Sequence, residues 1–340
     1  MKEKTNSELI RDYYVREEEA CADFRQFRYA NTTSKKKIKQ DVRGRKKDEE
    51  TNDNDDDYTS FSTDEDDEPY IVKQEYGYFS IFFSVIQIFV LLVMMVECHV
   101  APFRINPMLG PYPDALDYWG GKNAFKIIEE NEWWRLITPI FLHAGVLHLV
   151  GNISIQIDTG AFFEREWGSA VWLIVYIVSA IGSNILSCCF MPNSISVGSS
   201  GAVMGLFGAK LAEIFCRSCE SQESAQSRIA YEVRMEQLNN VLCAVLLVGL
   251  FSFVPYVDWA AHLGGLVAGI VIGLILFSTK IKSIGWVSLW LLVGMLLTIF
   301  LFAVALTFMY NMVEPSKDIE NVCAYYQKYF DDYECNCQIN

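Results

Sequence analysis

Apolar residues in this chain come in runs long enough to cross a bilayer, one after another from residue 79 to residue 310. A crossing helix needs ~20 mostly apolar residues. In hydrocarbon every backbone amide must bond within the structure, so runs of this length fold as helices. An ordinary soluble domain is excluded. The expected fold class is all-α: a polytopic membrane helix bundle of seven transmembrane helices, at about 79–98, 146–163, 169–190, 199–216, 238–255, 257–279 and 284–310.

The first 78 residues are different. Lys35–Lys47 is strongly basic and Asp48–Glu68 strongly acidic, and much of the acid behind the net charge of -14 lies here. Charge blocks with few apolar residues do not bury enough surface to offset ordering entropy. A solvated cytosolic tail is expected, with lipid or partner binding by the basic block as the alternative. The first apolar run begins near Phe79, too late for a cleavable leader, so span 1 is expected to act as a signal anchor. The domains expected are therefore a disordered tail (1–78), a six-span core with a membrane-interfacial first loop (79–283), a seventh span (284–310) and a Cys-containing outer tail (311–340).

Lys and Arg in the loops set the orientation. With the N-terminus in the cytosol, the inner loops hold Arg165, then Arg217, Arg228 and Arg234, then Lys280 and Lys282, while 191–198 and 255–257 hold none. The long first loop (99–145) departs from the pattern, with Arg104, Lys122, Lys126 and Arg135. On balance the C-terminus is lumenal or extracellular, and the expected location is the secretory pathway or plasma membrane. The first loop also carries Trp119, Phe125, Trp133, Trp134, Phe141 and Leu142. Amphipathic aromatics favour the bilayer interface, so part of this loop is expected in the outer leaflet.

Polar side chains inside spans are costly and mark function. Three places stand out: His148 with Asn152 in span 2, spaced to share a helix face; Gly198-Ser199-Ser200-Gly201 at the start of span 4; and His262 near the start of span 6. Spans 2, 4 and 6 run the same way in the charge-derived topology, which puts all of these at one depth, in the outer half of the membrane. Gly201, Gly205 and Gly208 on span 4, and Gly265, Gly269 and Gly273 on span 6, let the two backbones approach closely. That approach would bring the Ser200 hydroxyl within reach of His262.

These residues, with His143-Ala144-Gly145, Trp134-Arg135 and Gly160-Glu164-Arg165-Gly168, resemble the rhomboid intramembrane proteases over roughly 130–275. The form resembled has six core spans and one added C-terminal span. The resemblance implies a serine endopeptidase with a Ser200–His262 dyad and no third carboxylate. It implies an oxyanion hole from the Asn152 amide, the His148 imidazole and the Ser200 backbone N–H. Gly198, Gly201, Gly265, Gly269, Trp134, Arg135, Glu164 and Arg165 are supporting residues. It further implies single-span membrane proteins as substrates, cut near the outer face, and a lateral gate near span 5 with Phe251 and Phe253. The partners are these substrates and the lipid bilayer; no cofactor, metal or nucleic acid is expected.

Many members of that family carry Tyr four residues after the nucleophile; here it is Met204. His262 must then be held otherwise, with the Met204 thioether as one candidate. Asp158 in span 2 could pair with Lys210 of span 4, or snorkel at a helix end. Cys188, Cys189 and Cys243 read as small hydrophobes, and Cys216 with Cys219 as free thiols. Cys323, Cys335 and Cys337 are odd in number, which leaves Cys98 as a further partner and the pairing open.

The alternative function is a catalytically weak or inactive rhomboid-like factor that binds and directs membrane proteins. Such relatives lack the dyad. A transporter would show inverted repeats, which are not seen. A zinc protease would show His-Glu-x-x-His, whereas His143 and His148 are five apart.

Overall fold

The computed structural model describes residues 76–218, 225–252, 257–281, 283–335 and 337, so the charged tail expected at 1–78 lies almost wholly outside the described residues. Contacts divide the chain into two units, 1–70 with 222–234, and 71–221 with 235–340. Of the first unit, the described part is 225–234, the start of one long helix. The second unit is helical, and among the described residues pairing of the β type is limited to two isolated bridges.

The long helices are α1 (Tyr78–Glu97), α4 (Val146–Ile155) continued through a π turn into α5 (Ala161–Trp167), α6 (Ser169–Phe190), α7 (Ser200–Arg217), α8 (Ala225–Phe251), α9 (Trp259–Ser278) and α10 (Ile284–Met312). Short helices α2 (Pro113–Tyr118) and α3 (Ala124–Ile128) lie in the first loop, and α11 (Val322–Gln327) in the C-terminal tail. Among the described residues, five helices are long and apolar enough to cross a membrane: Tyr78–Glu97, Ser169–Phe190, Val233–Leu250, Trp259–Ser278 and Ile284–Met312. The spans expected at 146–163 and 199–216 are helical but fall outside this set. The first is broken by the turn at 156–160, and the second carries Lys210, Glu213 and Arg217.

Helices α6, α7 and α9 make the centre. α7 is buried along nearly its whole length, whereas α10 buries only Gly294 and Met309. The close approach of α7 and α9 requires glycine. A Cβ on Gly265 would fall on the Gly201 carbonyl oxygen, and one on Gly269 on the Gly205 carbonyl oxygen. Small residues here let dispersion act between backbones, since lipid is as apolar as any side chain.

The first turn of α1 is completed by a distant carboxylate. Phe79 N–H and Ser80 N–H donate to Glu164 at 2.9 and 2.8 Å, and the Ser80 and Ser169 hydroxyls donate to it as well. Helix-start N–H groups lack internal partners, so Glu164 of α5 ties α1 to the bundle. Arg165 lies over the Phe162 ring. A neutral polar layer joins α1 to α6: Gln87 donates to the Ile140 carbonyl and the Tyr176 hydroxyl, Tyr176 donates to Gln156, and Gln156 donates back to Ser84.

The first loop and the C-terminal tail fold together. Arg135 donates to the Asp117 and Gly121 carbonyls at 2.8 Å, and also bonds Glu132. Lys122, fully buried, donates to the Met191 and Ser194 carbonyls, and burial pushes its ammonium pKa down. The Tyr333 hydroxyl donates to Asp114 at 2.6 Å, and burial pushes the pKa of both groups up. Disulfides join Cys98 to Cys337 and Cys323 to Cys335, which closes the pairing left open above.

Of the aromatics expected at the interface, Trp133 and Trp134 are exposed. Phe141 instead stacks on Phe83, and Leu142 is 2% exposed, so these two belong to the core.

Candidate active site

Three helix ends converge on one spot. Ser200 is the first residue of α7, His262 lies in the first turn of α9, and Ser252 follows the last residue of α8. The Ser200 Oγ is 2.8 Å from His262 Nε2. His262 is placed by the start of α9, where Asp258 caps the helix by accepting from Ala261 N–H at 2.9 Å. The other Asp258 oxygen accepts from the Ser187 hydroxyl.

Gly198 shapes the entry to α7. Its φ of +119° lies where residues with a Cβ are strained. A Cβ there would also lie 2.8 Å from His148 Cε1, 3.0 Å from His148 Nε2 and 3.7 Å from Asn152 Nδ2. His148 and Asn152, one turn apart on α4, therefore flank the turn that leads into Ser200. The Asn152 amide spends one N–H on the His148 carbonyl at 3.0 Å, which leaves its second N–H to donate. His148 Nδ1 accepts from Ala144 N–H at 3.4 Å, so its proton sits on Nε2, the nitrogen nearer Gly198. As the first residue of α7, Ser200 has an N–H with no carbonyl partner within the helix. The arrangement holds a hydroxyl against an imidazole, with amide, imidazole and backbone donors beside it.

The four principal residues named from sequence thus lie in one place. Of the supporting residues, Gly198 joins them and most others do not. Glu164 caps α1, Arg135 ties the first loop, Trp134 is exposed, and Gly201, Gly265 and Gly269 line the helix seam.

Two open readings are resolved, and a third lies outside the described residues. Met204 does not hold His262: the second ring nitrogen, Nδ1, is 2.6 Å from Ser252 Oγ. Met204 is buried in the apolar cluster that contains Tyr176 and Phe207. Lys210 does not pair with Asp158. It donates to Glu166 at 2.8 Å and to Glu213 at 2.9 Å, while Asp158 is exposed. Two carboxylates close by hold an ammonium more firmly than one at the edge of the bundle. The gate expected at Phe251 and Phe253 concerns side chains outside the described residues.

Sequence reading missed Ser252 and Glu166. Ser252 had a faint signal, as a lone hydroxyl closing an apolar run ten residues before His262.

A family model described as "Rhomboid domain" matches residues 130–279. The chain is 37% identical over 175 residues to "RHOMBOID-like protein 6, mitochondrial" of Arabidopsis thaliana, covering 52% of this chain and 54% of that protein. It is 36% identical over 139 residues to "Rhomboid-like protease 3" of Toxoplasma gondii, covering 41% and 50%. It is 29% identical over 163 residues to "Inactive RHOMBOID-like protein 8" of Arabidopsis thaliana, covering 48% and 44%. The chain spans about half the length of the curated relatives it matches.

Proposed function

With residues 130–279 placing this chain in the rhomboid family as an integral membrane helix bundle, we propose that it is an intramembrane serine endopeptidase with Ser200 as nucleophile and His262 as its base. The observation that carries this is the 2.8 Å contact between Ser200 Oγ and His262 Nε2. His262 takes the Ser200 proton as the hydroxyl attacks the scissile carbonyl, and returns it to the leaving amine. The Asn152 amide, the His148 Nε2–H and the Ser200 N–H stabilise the oxyanion. Such donors act where charge develops, in a site shielded from bulk water.

Substrates are single-span membrane proteins, unwound near the cut so that a carbonyl is free of helical bonding. The cut lies near the outer face. In this reading α4–α5 and α7 also cross the bilayer, which makes seven spans; a helix as enclosed as α7 needs no apolar outer surface. The disulfides at Cys98, Cys323, Cys335 and Cys337 support an oxidising compartment on the side of the tail. That accords with the secretory pathway or plasma membrane, and with a cytosolic N-terminus.

Fluorophosphonate labelling of the purified protein tests the reading. Wild type is labelled and Ser200→Ala is not, and a quenched transmembrane peptide is cut only by wild type. Cleavage that survives in Ser200→Ala removes the serine mechanism. A wild type that binds the peptide without cutting it makes this chain a binding factor.

A further inference from the structure

We propose that Ser252 is a positioning residue for His262, so that the site is a Ser–His–Ser relay with a hydroxyl where many serine hydrolases place a carboxylate. The inference rests on the dyad reading above and deepens it.

A serine hydroxyl has one proton to give. The Ser252 hydroxyl gives it to the Val248 carbonyl, one turn back on α8, at 2.7 Å. Its lone pairs then face His262 Nδ1 at 2.6 Å. An acceptor facing a ring nitrogen requires the hydrogen on that nitrogen, so Nδ1 carries the proton. The neutral ring has one N–H, which leaves Nε2 bare and turned to Ser200 Oγ at 2.8 Å. Every donor in the row Ser200, His262, Ser252, Val248 then has an acceptor, and the row runs one way. The opposite order would put the proton on Nε2, where it could not accept the Ser200 proton, and would leave the Val248 carbonyl without that hydroxyl.

A carboxylate is near but is not used for this. Asp258 lies one turn before His262 on α9, yet its oxygens accept from Ala261 N–H and from Ser187. A hydroxyl partner orients the ring without placing another charge beside it, and unpaired charge is costly in a buried site. Ser252 thereby answers what holds His262 in a chain with Met204 at the position where an aromatic was expected.

The test uses the full-length protein in proteoliposomes with the quenched transmembrane peptide and a fluorophosphonate. Ser252→Ala is expected to lower kcat about tenfold, the rate equivalent of one neutral hydrogen bond. It should slow labelling of Ser200 by a similar factor and leave KM and the melting midpoint in place. Ser252→Thr, which keeps the hydroxyl, should restore both rates. Wild-type kcat and labelling in Ser252→Ala, with Ser200→Ala inert, would overturn the role of Ser252 and leave the dyad standing. A loss that Thr does not restore and that comes with a lower melting midpoint also overturns it, as a packing effect. A wild type that neither cleaves nor labels removes the dyad reading itself, and Ser252 with it.

Discussion

Helix α7 carries buried polar clusters at both of its ends, and they are built on opposite plans. At its start, Ser200 meets only neutral partners: His262, and through it Ser252. Around them His143 is fully buried, edge-on against His148, with neither ring nitrogen hydrogen-bonded among the described residues. At its far end, Lys210 is 1% exposed and bonded to Glu166 and Glu213, while Glu213 accepts from the Trp167 indole and faces Arg217. Charge set against opposite charge holds helices in register. Neutral groups with spare donors are what a reaction needs, because their bonds can be exchanged as charge develops. One helix therefore has a structural end and a reactive end.

The largest effect that could break this contrast is at Ser200. Ser200→Ala should abolish peptide cleavage, a loss of about 10⁵-fold or more by comparison with nucleophile removal in a soluble serine protease. The melting midpoint should not move. A large drop in stability would mean that the reactive end also holds the fold.

Next comes the structural end. Lys210→Met removes the buried ammonium that Glu166 and Glu213 share, and should cost about 3–5 kcal/mol of stability, read as a fall in the detergent melting curve. The kcat of the folded fraction should stay near wild type. If kcat falls with stability unchanged, the two ends are not separate in role.

Asn152→Ala sharpens the reactive side. Its amide is spare in one N–H, so removing it should lower kcat about 10²–10³-fold with KM and melting nearly unchanged. A rise in KM with kcat unchanged would place Asn152 in binding the ground state instead.

Cys337→Ser opens the link between the tail and the end of α1. Loss of one such bond typically costs about 2–4 kcal/mol. Since it lies outside both clusters, the melting point should fall and kcat should hold. The smallest effect is at Asp158. As an exposed residue apart from Lys210, Asp158→Asn should change stability by less than about 0.5 kcal/mol. A change comparable to Lys210→Met would return Asp158 to the ion cluster.

Much of this was legible in the chain before its structure. The apolar runs at 79–98, 169–190, 257–279 and 284–310 became helices within a few residues of those bounds. The glycine repeats of α7 and α9 predicted a close seam, and Gly201 and Gly265 do touch through backbone. Ser200, His262, His148 and Asn152 were found because a polar group in an apolar run stands out. Ser252 did not stand out, because one hydroxyl at a helix end has many ordinary uses, such as bonding back to its own helix, which it also does. Lys210 was noticed, with Asp158 as a candidate partner and a snorkelling Asp158 as the alternative. Equal depth suggested Asp158, while the turn at Gln156–Gly160 and the continuation into α5 bring Glu166 to it instead.

Composition and periodicity by themselves determined the helical membrane bundle, the seam, and which polar residues must be accommodated within it. They suffice for that because the cost of exposing a backbone amide or burying a charge in hydrocarbon is local, and is written residue by residue. Partners were decided only in three dimensions. Whether His262 is held by Met204 or Ser252, whether Lys210 meets Asp158 or Glu166, and which cysteine joins Cys98 all depend on helix rotation and on where loops return. Those are properties of packing between segments, and a hydrogen bond fails within an ångström of misplacement.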